Sequence, residues 1–192
     1  MVQVRADSKK ENFMLLAEKL KLTVEDYLKG ELLAKQKHEF VDGEAYAMAG
    51  ASERHNLISL NFASELKYQL KGKQCLTFIA DMKVNVEGCF FYPDLMVVCQ
   101  RHDDDSEYVK NNPQLIVEVL SKSTRFYDHS IKQDKYLSIE SLEYYVLIEQ
   151  EYCEVCVLSR DAGFVPKYYT QGDTIPFPKI DVIVTVDDQV VY

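Results

Sequence analysis

Residues 114–120 of this chain are Gln-Leu-Ile-Val-Glu-Val-Leu, in which Glu118 is the one charged residue. Apolar side chains at successive positions point to both faces of a sheet, which is typical of a central strand covered on each side. Burying an isolated carboxylate there is unfavourable unless a cation or strong hydrogen bonds compensate it. Two interpretations of Glu118 stay open: it pairs with a buried arginine or lysine, or it binds a metal ion.

A second lone acid, Asp94, lies in the apolar stretch 90–98, Phe-Phe-Tyr-Pro-Asp-Leu-Met-Val-Val. Pro93 cannot donate a hydrogen bond to a neighbouring strand, so we expect the pairing to be interrupted and the backbone to bend beside Asp94. Such bends often redirect a side chain next to an active site. The alternative is that Pro93-Asp94 is only a turn at the start of a strand.

The segment after Glu118 predicts a helix from about Phe126 to Ile139. At about 100° per residue, Lys132 and Lys135 fall within the largely apolar arc that should pack on the sheet. Lysines in such an arc can extend their ammonium groups to solvent, or Asp128 and Lys132 can form an exposed ion pair. Beside a buried glutamate, a lysine directed at the same sheet can also belong to the same functional site as that glutamate.

Two carboxylates on adjacent strands and a lysine on the next helix are what metal-assisted phosphodiester hydrolysis requires. Carboxylate oxygens suit Mg²⁺ or Mn²⁺, which keep several water ligands. The cation polarises the phosphate and lowers the pKa of a bound water. A lysine can then position or deprotonate that water and shield the developing charge.

The rest of the chain predicts an α/β domain, a sheet covered by helices. Residues 1–22 are expected to form a loosely attached helical extension, and residues 23–192 the domain itself. Thr23 predicts the N-cap of a helix that ends near Gly30, and Asp42-Gly43 predicts the turn of a hairpin. The remaining expected elements are a helix from Ser52 or Glu53 to about Leu70, strands over 75–86, 90–99, 144–149 and 152–158, and short edge strands within 167–192.

Composition narrows the class of protein. The 192 residues are 47% hydrophobic and 28% charged, which is typical of one globular domain. No signal peptide or membrane-spanning apolar run is evident, so we expect a cytoplasmic protein without a membrane partner. The net charge of −9 argues mildly against nonspecific nucleic-acid binding. The five cysteines have no framework spacing and are expected to be reduced thiols.

Several short motifs in order resemble the Uma-type restriction-endonuclease-like proteins, a branch of the PD-(D/E)XK nuclease superfamily. The resemblance runs from about Thr23 to the C-terminus. The motifs that carry it are residues 38–50 (HEFVDGEAYAMAG), His55-Asn56, Tyr92-Pro93-Asp94, residues 117–121 (VEVLS) with Ser123-Thr124, and Asp128 followed by Lys132 and Tyr136.

The resemblance implies a restriction-endonuclease-like mixed sheet flanked by helices, with additional N-terminal helices and a hairpin. It implies that Asp94 and Glu118 are the metal-binding acids. The superfamily lysine lies two residues after the second acid, where this chain has Leu120. A lysine of the following helix is therefore implied as its substitute. Lys132 fits the family pattern better than Lys135, and Lys83 is a weaker alternative; the candidates for a supporting acid or base are Glu39, Glu44 and His55.

The expected function is a Mg²⁺- or Mn²⁺-dependent endonuclease that acts on DNA. The first alternative is a catalytically weak or inactive protein of the same fold that binds nucleic acid or a protein partner. The second is a structural α/β domain whose acids are paired in salt bridges. Homodimer formation is left open by the sequence.

Overall fold

Two mixed sheets and a small separate hairpin form the framework of the protein. The computed structural model describes residues 21–48, 50–99, 106–121, 125 and 128–187. Apart from Lys21 and Leu22, the helix predicted over residues 1–22 lies outside the described residues. The helices are α1 (Val24–Glu31), α2 (Glu53–Gln69) and α3 (Gln133–Leu137), with a π-helical turn (Asp128–Lys132) leading into α3 and a 3-10 turn at Arg160–Ala162.

Thirteen strands are present in the described part of the chain. Their bounds are β1 (His38–Val41), β2 (Glu44–Ala47), β3 (Leu76–Ile79), β4 (Lys83–Val86), β5 (Cys89–Phe91), β6 (Leu95–Val98), β7 (Val109–Lys110), β8 (Leu115–Leu120), β9 (Tyr144–Glu149), β10 (Glu154–Ser159), β11 (Pro166–Thr170), β12 (Thr174–Phe177) and β13 (Val182–Thr185). The six-stranded sheet has the order β11-β10-β9-β8-β6-β3, the five-stranded sheet the order β2-β1-β5-β4-β7, and β12 pairs with β13.

The central strand of the larger sheet is β8, as its apolar sequence predicts. It pairs in parallel with β9 and antiparallel with β6, and all of its side chains are buried. Ile58, Phe62 and Leu66 of α2 pack on one face of this sheet with Val117 and Val119. The other face is covered from the side of α3 and the five-stranded sheet, through Tyr136, Val84 and Phe91 against Ile116 and Leu120.

The strands predicted over residues 75–86 and 90–99 are each divided in two, so the prediction of two continuous strands is wrong. The outer parts, β3 and β6, belong to the six-stranded sheet, and the inner parts, β4 and β5, belong to the five-stranded sheet. Asp81 has a positive φ of 74° between β3 and β4. In the second segment, Pro93 lies between the end of β5 and the start of β6 and interrupts the strand there. The expected bend beside Asp94 is therefore the place where the chain passes from one sheet to the other.

The described part of the segment after Glu118 departs from the predicted regular helix. Residues Asp128–Lys132 form a π-helical turn, and only Gln133–Leu137 continue as α-helix. The wider turn changes the angle between successive side chains. As a result Ile131 is exposed, whereas Asp128 and Lys132 are both buried. The alternative of an exposed Asp128–Lys132 pair is therefore wrong, and the start of the predicted helix, Phe126 and Tyr127, lies outside the described residues.

The predictions of a cap at Thr23 and of a turn at Asp42-Gly43 are confirmed, and the helix predicted from Ser52 or Glu53 begins at Glu53. Thr23 accepts a hydrogen bond from the Asp26 amide at the start of α1. Ser52 caps α2 in the same way through the His55 amide. Asp42 and Gly43 both have positive φ, 51° and 91°, between β1 and β2. That pair of angles is the type I′ turn that Asp-Gly favours.

One pair of cysteines corrects the expectation of reduced thiols. Cys75 and Cys99 form a disulfide between the ends of β3 and β6. These strands pair antiparallel with Leu76 opposite Val98. Cys75 precedes Leu76 and Cys99 follows Val98, so the two cysteines lie opposite each other at the end of the pairing. Spacing along the chain does not reveal this pairing, because the strands bring the two residues together. Within the described ranges, no helix combines the length and apolar character needed to cross a membrane.

Candidate active site

A buried lysine lies among three carboxylates on the α3 side of the larger sheet. The Lys132 Nζ is 2.9 Å from Oε1 of Glu39, 3.1 Å from Oε1 of Glu118 and 3.5 Å from Oδ1 of Asp128. The Tyr136 hydroxyl donates a hydrogen bond to Glu118 Oε1 at 3.0 Å. We call Lys132, Glu39, Glu118, Asp128 and Tyr136 the Lys132 cluster.

Three separate elements supply this cluster. Glu118 comes from the middle of β8, and Glu39 comes from β1 of the smaller sheet, where its Oε1 also accepts from the Tyr92 amide at 3.3 Å. Asp128 and Lys132 are the first and last residues of the π-helical turn. The ammonium thus links both sheets and the turn at one point.

Asp94 lies immediately before β6, close enough to Glu118 to raise its pKa. Leu95 pairs with Val117, so Asp94, which precedes Leu95, and Glu118, which follows Val117, are neighbours at the end of the β6–β8 pairing. Asp94 Oδ2 accepts from the Val119 amide at 2.7 Å, and Oδ1 lies 2.9 Å from Nε2 of His55 at the beginning of α2.

Electrostatics in the Lys132 cluster favour protons and cations. Burial raises the pKa of Glu118, and the charges of Asp128, Asp94 and Glu39 raise it further, against the lowering effect of Lys132. Burial alone would lower the pKa of Lys132, but the carboxylates of Glu118, Glu39 and Asp128 hold it well above its usual range. The Lys132 ammonium therefore stays protonated at neutral pH.

The donor set fits a hard divalent cation that keeps water ligands. Among the described residues, no group of three or more His, Cys, Asp or Glu side chains is arranged to hold a metal ion by itself. Mg²⁺, however, commonly uses only one or two carboxylates and completes its shell with water and substrate phosphate. Asp94 and Glu118, which lie at the end of the β6–β8 pairing, could supply two such carboxylates.

The other candidate residues lie at different distances from this centre. Glu39 belongs to the Lys132 cluster, and His55 contacts Asp94. Glu44 is exposed on β2, where it accepts from the Tyr46 hydroxyl. Lys83 donates to the Tyr92 hydroxyl at 3.2 Å in the smaller sheet. Lys135 is half-buried on α3, and no ion pair joins it to a carboxylate among the described residues of the Lys132 cluster.

Sequence reasoning missed two members of the cluster and one supporting acid. Asp128 and Tyr136 appear in the motif that suggested the family. The spacing of Asp128 from Lys132 is equally typical of an exposed ion pair, and the position of Tyr136 is equally typical of a core aromatic residue. Glu31, at the end of α1, is buried and accepts from the Tyr92 hydroxyl at 3.0 Å and the His38 amide at 2.8 Å. It ties the helix to the segments that carry Glu39 and Pro93-Asp94.

Comparisons with known proteins agree with this architecture. Residues 24–180 match the model of the Uma2 family, described as "Putative restriction endonuclease". Two proteins of Synechocystis sp. (strain PCC 6803) are similar in sequence. The protein sll1609 is 36% identical over 141 residues, which cover 71% of this chain and 80% of that protein. The protein slr1290 is 32% identical over 171 residues, which cover 87% of this chain and 90% of that protein.

A solved structure shares the fold. It is a crystal structure of "a putative nuclease belonging to DUF820" from Anabaena variabilis, with a TM-score of 0.70 at 15% sequence identity. The match covers 88% of this chain and 97% of that one. It confirms the predicted restriction-endonuclease-like arrangement of a mixed sheet flanked by helices.

Proposed function

The chain belongs to the Uma2 family, and from that premise we propose that it is a metal-dependent endonuclease that hydrolyses phosphodiester bonds in DNA. The observation that carries the proposal is the Lys132 cluster. A protonated lysine is held by carboxylates from two sheets, Glu39 and Glu118, and Asp94 lies at the end of the strand pairing next to Glu118. A merely structural ion pair would need one carboxylate, whereas this site gathers several.

Asp94 and Glu118 would hold the cation, Mg²⁺ or Mn²⁺. When bound, such a cation supplies a polarised phosphate oxygen and a water of lowered pKa. The remaining contacts orient these two ligands. His55 and the Val119 amide hold the two oxygens of Asp94, and the Tyr136 hydroxyl holds Glu118.

Lys132 would act as a fixed positive charge. Its ammonium stays protonated at neutral pH because carboxylates surround it, so it is suited to electrostatic work and poorly suited to removing a proton from water. It can orient a water and offset the negative charge that builds on the phosphate during attack. Glu39 and Asp128 hold it in place for that role.

The test is hydrolysis of supercoiled, linear duplex and single-stranded DNA by the purified chain, with Mg²⁺, with Mn²⁺ and with a chelator. We expect cleavage with either cation and none with the chelator. Cleavage that continues in chelator would contradict the metal requirement. DNA binding without cleavage under every condition would favour the alternative of a catalytically inactive protein of the same fold.

A further inference from the structure

A pocket opens on the same face of the larger sheet as Glu118, beside the Lys132 cluster. Its volume is about 210 Å³. Pockets that take up a complete small molecule are usually larger, roughly 300–1,000 Å³. A pocket of this size suits one ring system that belongs to a larger ligand.

The position of the pocket relative to the site is set by strand register. Leu147 of β9, which lines the pocket, is the parallel partner of Glu118 on β8. Leu120, also in the lining, follows Glu118 by two residues on the same strand, a separation of roughly 6.6 Å. A group attached to a phosphate at Asp94 and Glu118 can therefore reach the pocket without a long linker.

The walls combine apolar, aromatic and polar surfaces. Three buried residues, Leu120, Leu147 and Cys156, supply apolar lining, and two exposed tyrosines, Tyr152 and Tyr168, also line the pocket. Burial raises the pKa of the Cys156 thiol to about 11, so this group acts as an apolar surface and not as a nucleophile. Tyr152 is 49% exposed and Tyr168 is 60% exposed, so both rings are accessible for stacking.

An ion pair lies inside the pocket. Arg125 Nη1 and Nη2 each donate to the carboxylate of buried Glu149 at 2.6 Å. This bidentate pair cancels its own charge, and Glu154 and His129 complete the lining. A pocket with carboxylates and a neutralised arginine disfavours a free phosphate. The other carboxylate in the lining, that of Glu154, can accept hydrogen bonds from the amino edge of a neutral flat ring.

We propose that this pocket binds the base of an unpaired nucleotide next to the phosphate held at Asp94 and Glu118, with the base stacked on Tyr152 or Tyr168. A base within a duplex is stacked and paired and cannot enter, so the substrate is single-stranded or locally unpaired DNA. This inference rests on the proposed nuclease function and adds the substrate class to it.

The experiment uses 2-aminopurine, a fluorescent base, next to a hydrolysis-resistant phosphorothioate linkage in a single-stranded oligonucleotide. The protein contains no tryptophan, so the emission of the base can be followed without interference. With Mg²⁺ present we expect the emission to be quenched on binding. Tyr152→Ala and Tyr168→Ala are each expected to reduce the quenching. Loss of the ring on which the base stacks is expected to weaken binding about tenfold.

Matched variants and substrates make the result decisive. Tyr168→Phe keeps the ring and is expected to keep the quenching, and Tyr68→Ala removes a 78% exposed tyrosine from α2 without effect. The same probe in a duplex is expected to bind more weakly. If the chain binds and cleaves DNA but neither pocket variant changes affinity or quenching, the pocket inference alone is overturned. Binding the duplex as tightly as the single strand also overturns it, and absence of both binding and cleavage overturns the nuclease proposal with it.

Discussion

The surroundings of Glu118 fit both interpretations of this residue, an ion pair with a buried lysine and a ligand of a metal ion. The sequence left open whether this acid pairs with a buried cation or binds a metal. The structure places Lys132 Nζ 3.1 Å from it, so a buried cation is present. The same ammonium is shared with Glu39 and Asp128, and Asp94 immediately precedes β6, the antiparallel neighbour of β8. Glu118 therefore belongs to a buried group of several carboxylates around one lysine, and not to an isolated ion pair.

The first prediction concerns Lys132. Lys132→Met keeps most of the aliphatic volume but removes the charge, and we expect cleavage to fall about 10²-fold or more. Stability should also fall by about 3 kcal/mol, because buried carboxylates lose their partner. Initial rates of DNA cleavage, measured where circular dichroism shows the variant folded, test the effect on activity.

Lys135→Met is the matched control on the same helix and should cleave as the wild type does. A normal rate for Lys132→Met together with an inactive Lys135→Met or Lys83→Met would show that another lysine replaces the one missing at Leu120.

The second prediction concerns the pKa of Glu118, which burial and neighbouring carboxylates raise. The folded state therefore holds a proton that the unfolded chain releases near the ordinary value of 4.5. Above that pH the unfolded chain binds fewer protons, so the free energy of unfolding falls as pH rises towards the folded pKa. Glu118→Gln removes this dependence.

Chemical denaturation of both proteins with a chelator present, from about pH 5 to pH 8, measures the effect. The wild type should lose up to about 1.4 kcal/mol per pH unit relative to Glu118→Gln within the window. Parallel stability curves for the two proteins would show that Glu118 is ionised throughout.

Among the elements, the turns and caps followed their sequence signals, whereas two irregular segments did not. The π-helical turn at Asp128–Lys132 turns both of its end residues inward. A wheel drawn for a regular α-helix cannot anticipate this, because π-helical geometry depends on what the turn packs against. The break at Pro93 was expected, but the transfer of the chain from one sheet to the other was not.

The third prediction concerns the start of α2, which places His55 against Asp94. Ser52 caps the helix and also donates to Gln150 Oε1 at 2.8 Å, while Gln150 Nε2 donates to the Leu120 carbonyl. Ser52→Ala should lower the free energy of unfolding by about 1 kcal/mol through the lost cap. Thermal denaturation measures it.

Ser64→Ala removes a hydroxyl from the exposed side of the same helix and serves as the control. A loss in Ser64→Ala equal to that in Ser52→Ala would show that the cap is not responsible.

At the scale of the whole molecule, the site lies where the two sheets, α2 and the π-helical turn meet. Glu39 comes from the five-stranded sheet, Glu118 from the six-stranded sheet, and Asp94 from the segment that joins them. A cation bound there would hold these parts together in the folded state only. Metal binding should therefore be coupled to global stability.

The fourth prediction follows from that coupling. Mn²⁺ or Mg²⁺ should raise the melting temperature, because the ion relieves repulsion between acids that are poorly solvated. At a concentration 100-fold above the dissociation constant the gain is about 2.7 kcal/mol. Differential scanning calorimetry with and without metal tests it in the wild type. Glu118→Gln should not respond, and an unchanged response in that variant would place the ion elsewhere.

The sequence alone determined the central strand, the helices that begin at Val24 and Glu53, the Asp42-Gly43 turn and the two anomalous acids, Asp94 and Glu118. These features depend on local patterns: an apolar run, a capping threonine, and a charge where none is expected.

The tertiary structure alone decided that Asp128 and Tyr136 join the cluster, that Glu31 anchors Tyr92, and that Cys75 meets Cys99. Each of these contacts joins residues on different elements or depends on a non-standard helical turn. Their formation depends on strand register and on packing between layers, which spacing along the chain does not encode.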